Sequence, residues 1–390
     1  MTYVNLAPRL YCSVDGNMRQ LKEEVDMSER MARYLFSTLV VCVCFGCGGS
    51  AAPPSGSSPL ATFTRLGFLA SDVASQANAV SADGLMVVGS SQSASGKSRP
   101  FRWRAEEGMV DLGLLHGGTT GKARAVSANG DFVVGDGDVQ GSSSAVFRWS
   151  KSTGLVQLKA LSDSTLCAVG GVSGDGNVVV GTCLVVGNSA FRWTESSGMV
   201  ALGQFGGGSS RSSNALAISS DAGTVVGIGH PVLTGAMIWH PAGEVSLLGT
   251  LPGDVSAAAT AVSRNGGVVV GYSTDPSSHQ RAFRWTQQSG MVALPTTTDQ
   301  LYDVIASATS GDGQLVVGWG NMPTGETALV WDELHGMRRL DDVLIAEYQT
   351  KIEGWSLSRA TAVSDDGRTI TGFGITPEGR TEAWIVSLPK

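Results

Sequence analysis

Charge, cysteine, histidine and long apolar runs are all scarce in this chain of 390 residues, and each scarcity excludes something. Only 16% of the residues are charged, with 27 basic against 34 acidic side chains, a net charge of −7 and no basic cluster. That balance argues against nucleic acid as a partner. The five histidines, His116, His230, His240, His279 and His335, fall without metal-ligand spacing. No Ser-His-Asp set or pair of carboxylates can be assembled from the text, so the sequence points to no catalytic residue, metal or cofactor. Strong helix formers are sparse as well. What remains is 52 glycines and short apolar runs such as "VVV", "FRW" and "MVAL", cut every few residues by Gly, Ser, Asp or Asn. This is the text of an all-β chain.

One apolar stretch interrupts that pattern. "MARYLFSTLVVCVCFGCGGS" carries Arg30 and Arg33, then an apolar run from Tyr34 to Gly46, then Cys47 between glycines. The run is too short to span a bilayer comfortably, which takes about 20 residues, and it has the form of an export signal. It resembles a bacterial lipoprotein signal peptide, in which a small residue precedes a cysteine that is acylated and becomes the mature amino terminus. The resemblance makes Cys47 the lipidation site; Cys44, where Leu is usual, departs from the pattern. Plain secretion and a retained anchor are the alternatives. Residues 1–46 are therefore read as an upstream extension plus signal, with Met27 or Met31 as the expected start. Their removal takes five basic and five acidic side chains and leaves the net charge at −7. Residues 47–60, "CGGSAAPPSGSSPL", cannot pack a core and form a tether. The folded region is expected over 61–390.

Within that region a single phrase recurs. "AVSADGLMVVG" at 79 returns as "AVSANGDFVVG" at 125, "GVSGDGNVVVG" at 171, "AISSDAGTVVG" at 217, "AVSRNGGVVVG" at 261, "ATSGDGQLVVG" at 308 and "AVSDDGRTITG" at 362. A period in the forties with four short apolar runs per unit marks a propeller blade. In six of the seven units Asp or Asn followed by Gly supplies the positive φ of a tight hairpin, and in the fourth Asp221 is followed by Ala222. The seventh unit ends at "TEAWIVSLPK" without a fourth strand, and an orphan strand, "TFTRLGFL" at 62–69, precedes the first unit. The two complete each other. The expectation is a seven-bladed β-propeller of four-stranded blades, closed by an amino-terminal strand.

The units resemble the bacterial extracellular HAF-repeat family, through "AFRW" at 190–193 and 282–285, "MVDLG" at 109–113 and "LLHGG" at 114–118. The family's His is replaced here: Arg99, Ser189, Gly235, Arg281, Thr327 and Glu382 stand in its place. The resemblance implies export and a propeller-like scaffold, and brings no chemistry with it.

The repeated residues read as structural. Trp103, Trp149, Trp193, Trp239, Trp285, Trp331 and Trp384 are placed at one position per unit, as wedges between blades rather than sugar platforms. Arg102, Arg148, Arg192 and Arg284 precede Trp where other units have Ile238, Val330 and Ala383, so packing is favoured over an anion ring. The Asp and Asn of the "S-x-D-G" phrases read as turn formers rather than calcium ligands. Cys167 and Cys183 are symmetric about Asp175 in one hairpin, so they form either a disulfide or two buried thiols; a hydrogen-bonded register would disfavour the bridge.

Recognition is expected on the face with the long, dissimilar loops. The longest link, residues 341–360, holds helix-prone "DDVLIAEY" and reads as a lid over the last blade. Trp319, Tyr348 and Trp355, outside the repeated positions, are the candidate contact surface. Taken together, the sequence predicts a monomeric, lipid-anchored propeller at the outer membrane or cell surface, or secreted. Its expected role is a non-catalytic scaffold binding an envelope protein or glycan. The alternatives are a propeller enzyme acting on polysaccharide and a structural surface repeat without a discrete ligand.

Overall fold

The computed structural model describes residues 60–389 apart from 141, 162, 163, 165, 186, 204–211, 231–234, 298 and 299. The signal, Cys47 and nearly all of the tether lie outside the described residues. Seven antiparallel sheets of four strands form a ring, a seven-bladed propeller with one short helix among the described residues. The first strands of neighbouring blades, Asp72–Val80, Gly121–Val126, Cys167–Val172, Ser212–Ile218, Ser256–Val262, Tyr302–Thr309 and Ser356–Val363, lie against one another around the axis. Each blade then steps outward through strands two, three and four. The orphan strand Thr62–Gly67 pairs with Thr381–Ser387 and is the fourth strand of blade 7. The first and last described strands thus share one sheet, which removes the exposed edge an open ring would leave.

The repeated phrase has a packing reason. In every blade the Gly of "VVG" sits opposite the aromatic place of the third strand, as Gly89 faces Phe101 and Gly135 faces Phe147. A Cβ at Gly89 or Gly135 would overlap the first strand's carbonyl oxygen and the facing ring. Only Gly lets the two strands and the ring come together there. Valines two residues before that Gly, such as Val87, Val133 and Val179, are fully buried between blades.

The register corrects one placement. Trp384 pairs with Gly372, as Phe101 pairs with Gly89, and Val386 pairs with Ile370, as Trp103 pairs with Val87. Trp384 therefore takes the Phe place of blade 7, Val386 its Trp place and Ile385, not Ala383, its Arg place. The physical reason is the partner: Gly372 leaves room for a larger ring, and Trp384 is completely buried in it. The other six tryptophans are buried or half-buried between blades.

The link after blade 6 forms the helix Leu340–Ala346. Its Leu340, Val343 and Leu344 join Trp355, Leu357 and Trp384 in the core cluster that also takes Ala61, with Phe63 packed against it. The link therefore covers the seam where the ring closes.

Candidate functional site

The channel has two unlike ends. At one end stand the seven "S-x-D-G" turns, built the same way in every blade. The Ser hydroxyl donates to the Asp or Asn Oδ1, as from Ser81 to Asp83 and from Ser263 to Asn265. The same hydroxyl accepts a backbone N–H five residues on, at 2.9–3.0 Å. The Oδ1 also accepts an N–H two residues on, at 2.9–3.1 Å. Every Asp or Asn of the phrase thus folds onto its own loop. Hydrogen bonds from the Ser173, Ser219 and Ser310 hydroxyls, and then from backbone N–H groups, hold the Asp175, Asp221 and Asp312 carboxyls below the usual range.

The residue between Ser and Asp makes a further bond that links the blades. The N–H of Ala82 donates to the carbonyl of Ala128, Ala128 to Gly174, Gly174 to Ser220, Ser220 to Arg264, Arg264 to Gly311, Gly311 to Asp365, and Asp365 back to Ala82, at 2.9–3.2 Å. Seven backbone hydrogen bonds close on themselves around the axis. Just inside this rim lies a collar of Val80, Val126, Val172, Ile218, Val262 and Val363, with Thr309 in blade 6, around a hollow of about 130 Å³.

Toward the other end each first strand carries a bulge at the same place, with Asn78, Arg124, Gly170, Leu216, Thr260, Ser307 and Thr361 as the extra residues. Some of these cross to the next blade: Asn78 Nδ2 donates to Ala123 O at 2.7 Å, Thr260 Oγ1 to Ala306 O at 2.6 Å and Thr361 Oγ1 to Ala77 O at 2.9 Å. Beyond the bulges the channel opens into a mouth, and there the repetition stops.

Between blades 6, 7 and 1 the mouth contains a cavity of about 520 Å³. Arg359, from the first strand of blade 7, makes a two-point pair with Glu326 of blade 6, its Nε donating to Oε2 at 2.7 Å and its Nη2 to Oε1. Its guanidinium stacks 3.8 Å above the ring of Trp319 and lies 6.0 Å from the centroid of the Phe373 ring. Gln76, Asn78, Ser307 and Thr361 complete the lining. Across the channel a more apolar hollow of about 420 Å³ lies against Leu166, Leu184 and Leu216. Among the described residues no three His, Cys, Asp or Glu side chains converge as a metal site.

The three candidate contact residues therefore separate. Trp319 lines the mouth cavity. Tyr348 is half-buried against the last-blade core. Trp355 is not a surface residue: it is 7% exposed, 5.2 Å from Phe63 edge-on and under Arg65, because the closing strand needs an apolar cover. Arg359 and Glu326 were not singled out from the sequence. Their signal was the breaking of the repeat, since Gln76, Lys122, Ala168 and Asn214 stand where Arg359 stands in blades 1–4.

The remaining readings are structural. Cys167 and Cys183 are paired across the first two strands of blade 3 and joined by a disulfide. The neighbouring N–H of Leu184 donates to Leu166 O at 2.8 Å, so the cysteines occupy the non-hydrogen-bonded register that suits a bridge. Arg148 and Arg284 donate from Nε to the Gly176 and Gly313 carbonyls of the next blade, at 3.0 Å each, as packing residues do. Two residues before the Phe place of the third strand, three blades carry a charged side chain in an ion pair. Arg99 meets buried Asp72 at 3.0 Å, Arg281 meets buried Asp254 at 2.6 Å, and in blade 7 the charges reverse, with buried Glu382 meeting Arg65 at 2.7 Å.

The chain matches no family model and no curated protein. Among solved structures it is similar to an oligogalacturonate lyase in complex with manganese, at 15% identity and a TM-score of 0.54, over 86% of this chain and 95% of that one. It is also similar to TolB from Acinetobacter baumannii, at 12% identity and a TM-score of 0.46; that match spans 64% of this chain and 61% of the TolB chain. What the lyase shares with this chain at that identity is the propeller fold.

Proposed function

We propose that this chain is an exported, lipid-anchored propeller that binds an envelope component through the mouth of its channel, without chemistry of its own. The observation that carries this reading is the contrast between repeated and unrepeated positions. A ring of seven units needs its wedges, turns and glycines seven times over, whereas Arg359, Glu326 and Trp319 form one cluster in one seam, facing a cavity. Export is supported by the disulfide, which persists in oxidising compartments, and by the signal-like run ending at Cys47.

The test is co-sedimentation of the full chain with isolated envelope fragments. Filling the mouth with Ser307→Tyr and Gln76→Arg should lower retention at least tenfold, while Ser220→Tyr on the turn rim should leave it unchanged. Equal retention of all three proteins would remove the mouth as the binding face. For the anchor, Cys47→Ala should shift the chain from the membrane fraction to the soluble one; no shift would leave plain secretion.

A second reading, a propeller enzyme acting on polysaccharide, rests on the fold shared with the lyase. Release of new sugar ends from a polysaccharide by the full chain, abolished in Glu326→Gln, would replace the binding reading.

A further inference from the structure

From the lining of the mouth cavity we infer that its ligand is a neutral glycan, held by Arg359, Gln76 and Ser307 beside the rings of Trp319 and Phe373. The inference rests on the mouth being the binding face and goes further by naming what it takes.

Charge decides first. The cavity holds one cation and one anion, Arg359 and Glu326, and they neutralise each other through two parallel hydrogen bonds. An anionic ligand would have to displace Glu326 or sit beside its carboxylate, and a cationic one would meet a guanidinium already fixed in place. Neither gains what a neutral ligand keeps.

Unused hydrogen-bonding groups decide next. The Gln76 amide and the Ser307 hydroxyl make no hydrogen bond among the described residues, and neither does Nη1 of Arg359. Asn78 donates through Nδ2 and keeps its Oδ1 as an acceptor. The lining therefore offers donors and acceptors side by side, and Arg359 cannot swing away from them because Glu326 and the Trp319 ring hold it. A ligand dense in hydroxyls, each both donor and acceptor, matches this set; a hydrocarbon chain would leave it unpaired.

The rings complete the match. Trp319 and Phe373 add apolar surface to the same cavity, against which the C–H groups of a sugar ring can lie. No other blade repeats the combination. The places of Trp319 and Arg359 hold Ser90 and Gln76 in blade 1, Asp136 and Lys122 in blade 2, and Thr182 and Ala168 in blade 3. Within the mouth cavity, ring and guanidinium meet at the seam between blades 6 and 7.

The full chain is titrated calorimetrically with neutral cello-, malto- and manno-oligosaccharides and with acidic oligogalacturonides. The expected result is saturable binding of a neutral oligosaccharide, weakened at least tenfold in Gln76→Ala/Ser307→Ala while the thermal midpoint of that variant stays at the wild-type value. Tenfold tighter binding of the acidic oligomers overturns the neutral assignment. Neutral binding that the double variant leaves unchanged overturns the site. If no oligosaccharide binds while the mouth-filled chain still loses envelope retention, the glycan inference fails and the mouth keeps its role; if retention is also unaffected, both fail.

Discussion

The turn rim and the mouth are two ends of one channel built under opposite rules. At the rim each position does the same work in seven blades, and the bonds that join the blades are between backbones. At the mouth the joining is done by side chains that differ from blade to blade: an amide in blade 1, threonine hydroxyls in blades 5 and 7, an Arg–Glu pair between blades 6 and 7. Uniformity makes a frame, and departure from it makes a place where a ligand can be told from another.

The largest way to break this contrast is to open the ring. Deleting residues 60–69 removes the fourth strand of blade 7 and uncovers Trp355 and Trp384. The expected loss is more than about 4 kcal/mol, or outright aggregation. A truncated chain that melts with the full one would show that closure is not what holds the ring.

The next effect is at the mouth end of blade 3, where the bulge residue is Gly170 and has no side chain to reach its neighbour. The disulfide stands close by, and Cys167→Ala/Cys183→Ala should cost about 3 kcal/mol by the chain-entropy argument, read from urea unfolding with and without reductant. Identical curves for the wild type in both conditions would remove the staple from the account.

Smaller still is a single hydroxyl on the rim. Ser219 is 1% exposed, and Ser219→Ala strands the N–H of Thr224 and one bond to Asp221, for about 1–3 kcal/mol. Ser307→Ala at the mouth should stay within about 0.5 kcal/mol, since that hydroxyl has no partner to lose among the described residues. Equal losses would erase the distinction between the two ends.

The smallest effect is one of pH. Because the Asp175, Asp221 and Asp312 carboxyls are held low, their contribution is present above the unfolded-state range near 4 and is lost as pH falls through the lower folded values. Blades 2 and 5 build the same turn on Asn129 and Asn265. The triple Asp→Asn variant should therefore fold, and its thermal midpoint should fall less than that of the wild type between pH 7 and pH 3. Parallel falls would place the acid lability elsewhere.

Much of the frame was legible because its constraints act on side chains. The hydroxyl of Ser and the carboxyl or amide after it, the Gly opposite a ring, and two cysteines equidistant from a turn all leave letters behind. The backbone ring of the rim leaves none. Its seven residues are Ala82, Ala128, Gly174, Ser220, Arg264, Gly311 and Asp365, as varied as any loop, because the bond uses N–H and C=O and is indifferent to what the residue carries. Trp384 misled for another reason: "AWIV" reads like "FRW" until the register with Gly372 is known, and register is a property of pairs of strands. The mouth cluster was illegible because Trp319, Glu326 and Arg359 come from three strands in two blades, and only folding brings them within reach of one another.

The pairing of the closing strand also sets how the molecule can be held. Thr62 lies opposite Ser387, which in turn lies opposite Thr369 at the foot of the last turn, and the N–H of Leu388 donates to Arg368 O at 2.7 Å. Thr62 and Ser387, the outer ends of the two closing strands, therefore both lie on the rim side. A tag joined directly to either strand end would meet the propeller at the face that is the same in every blade, opposite the mouth.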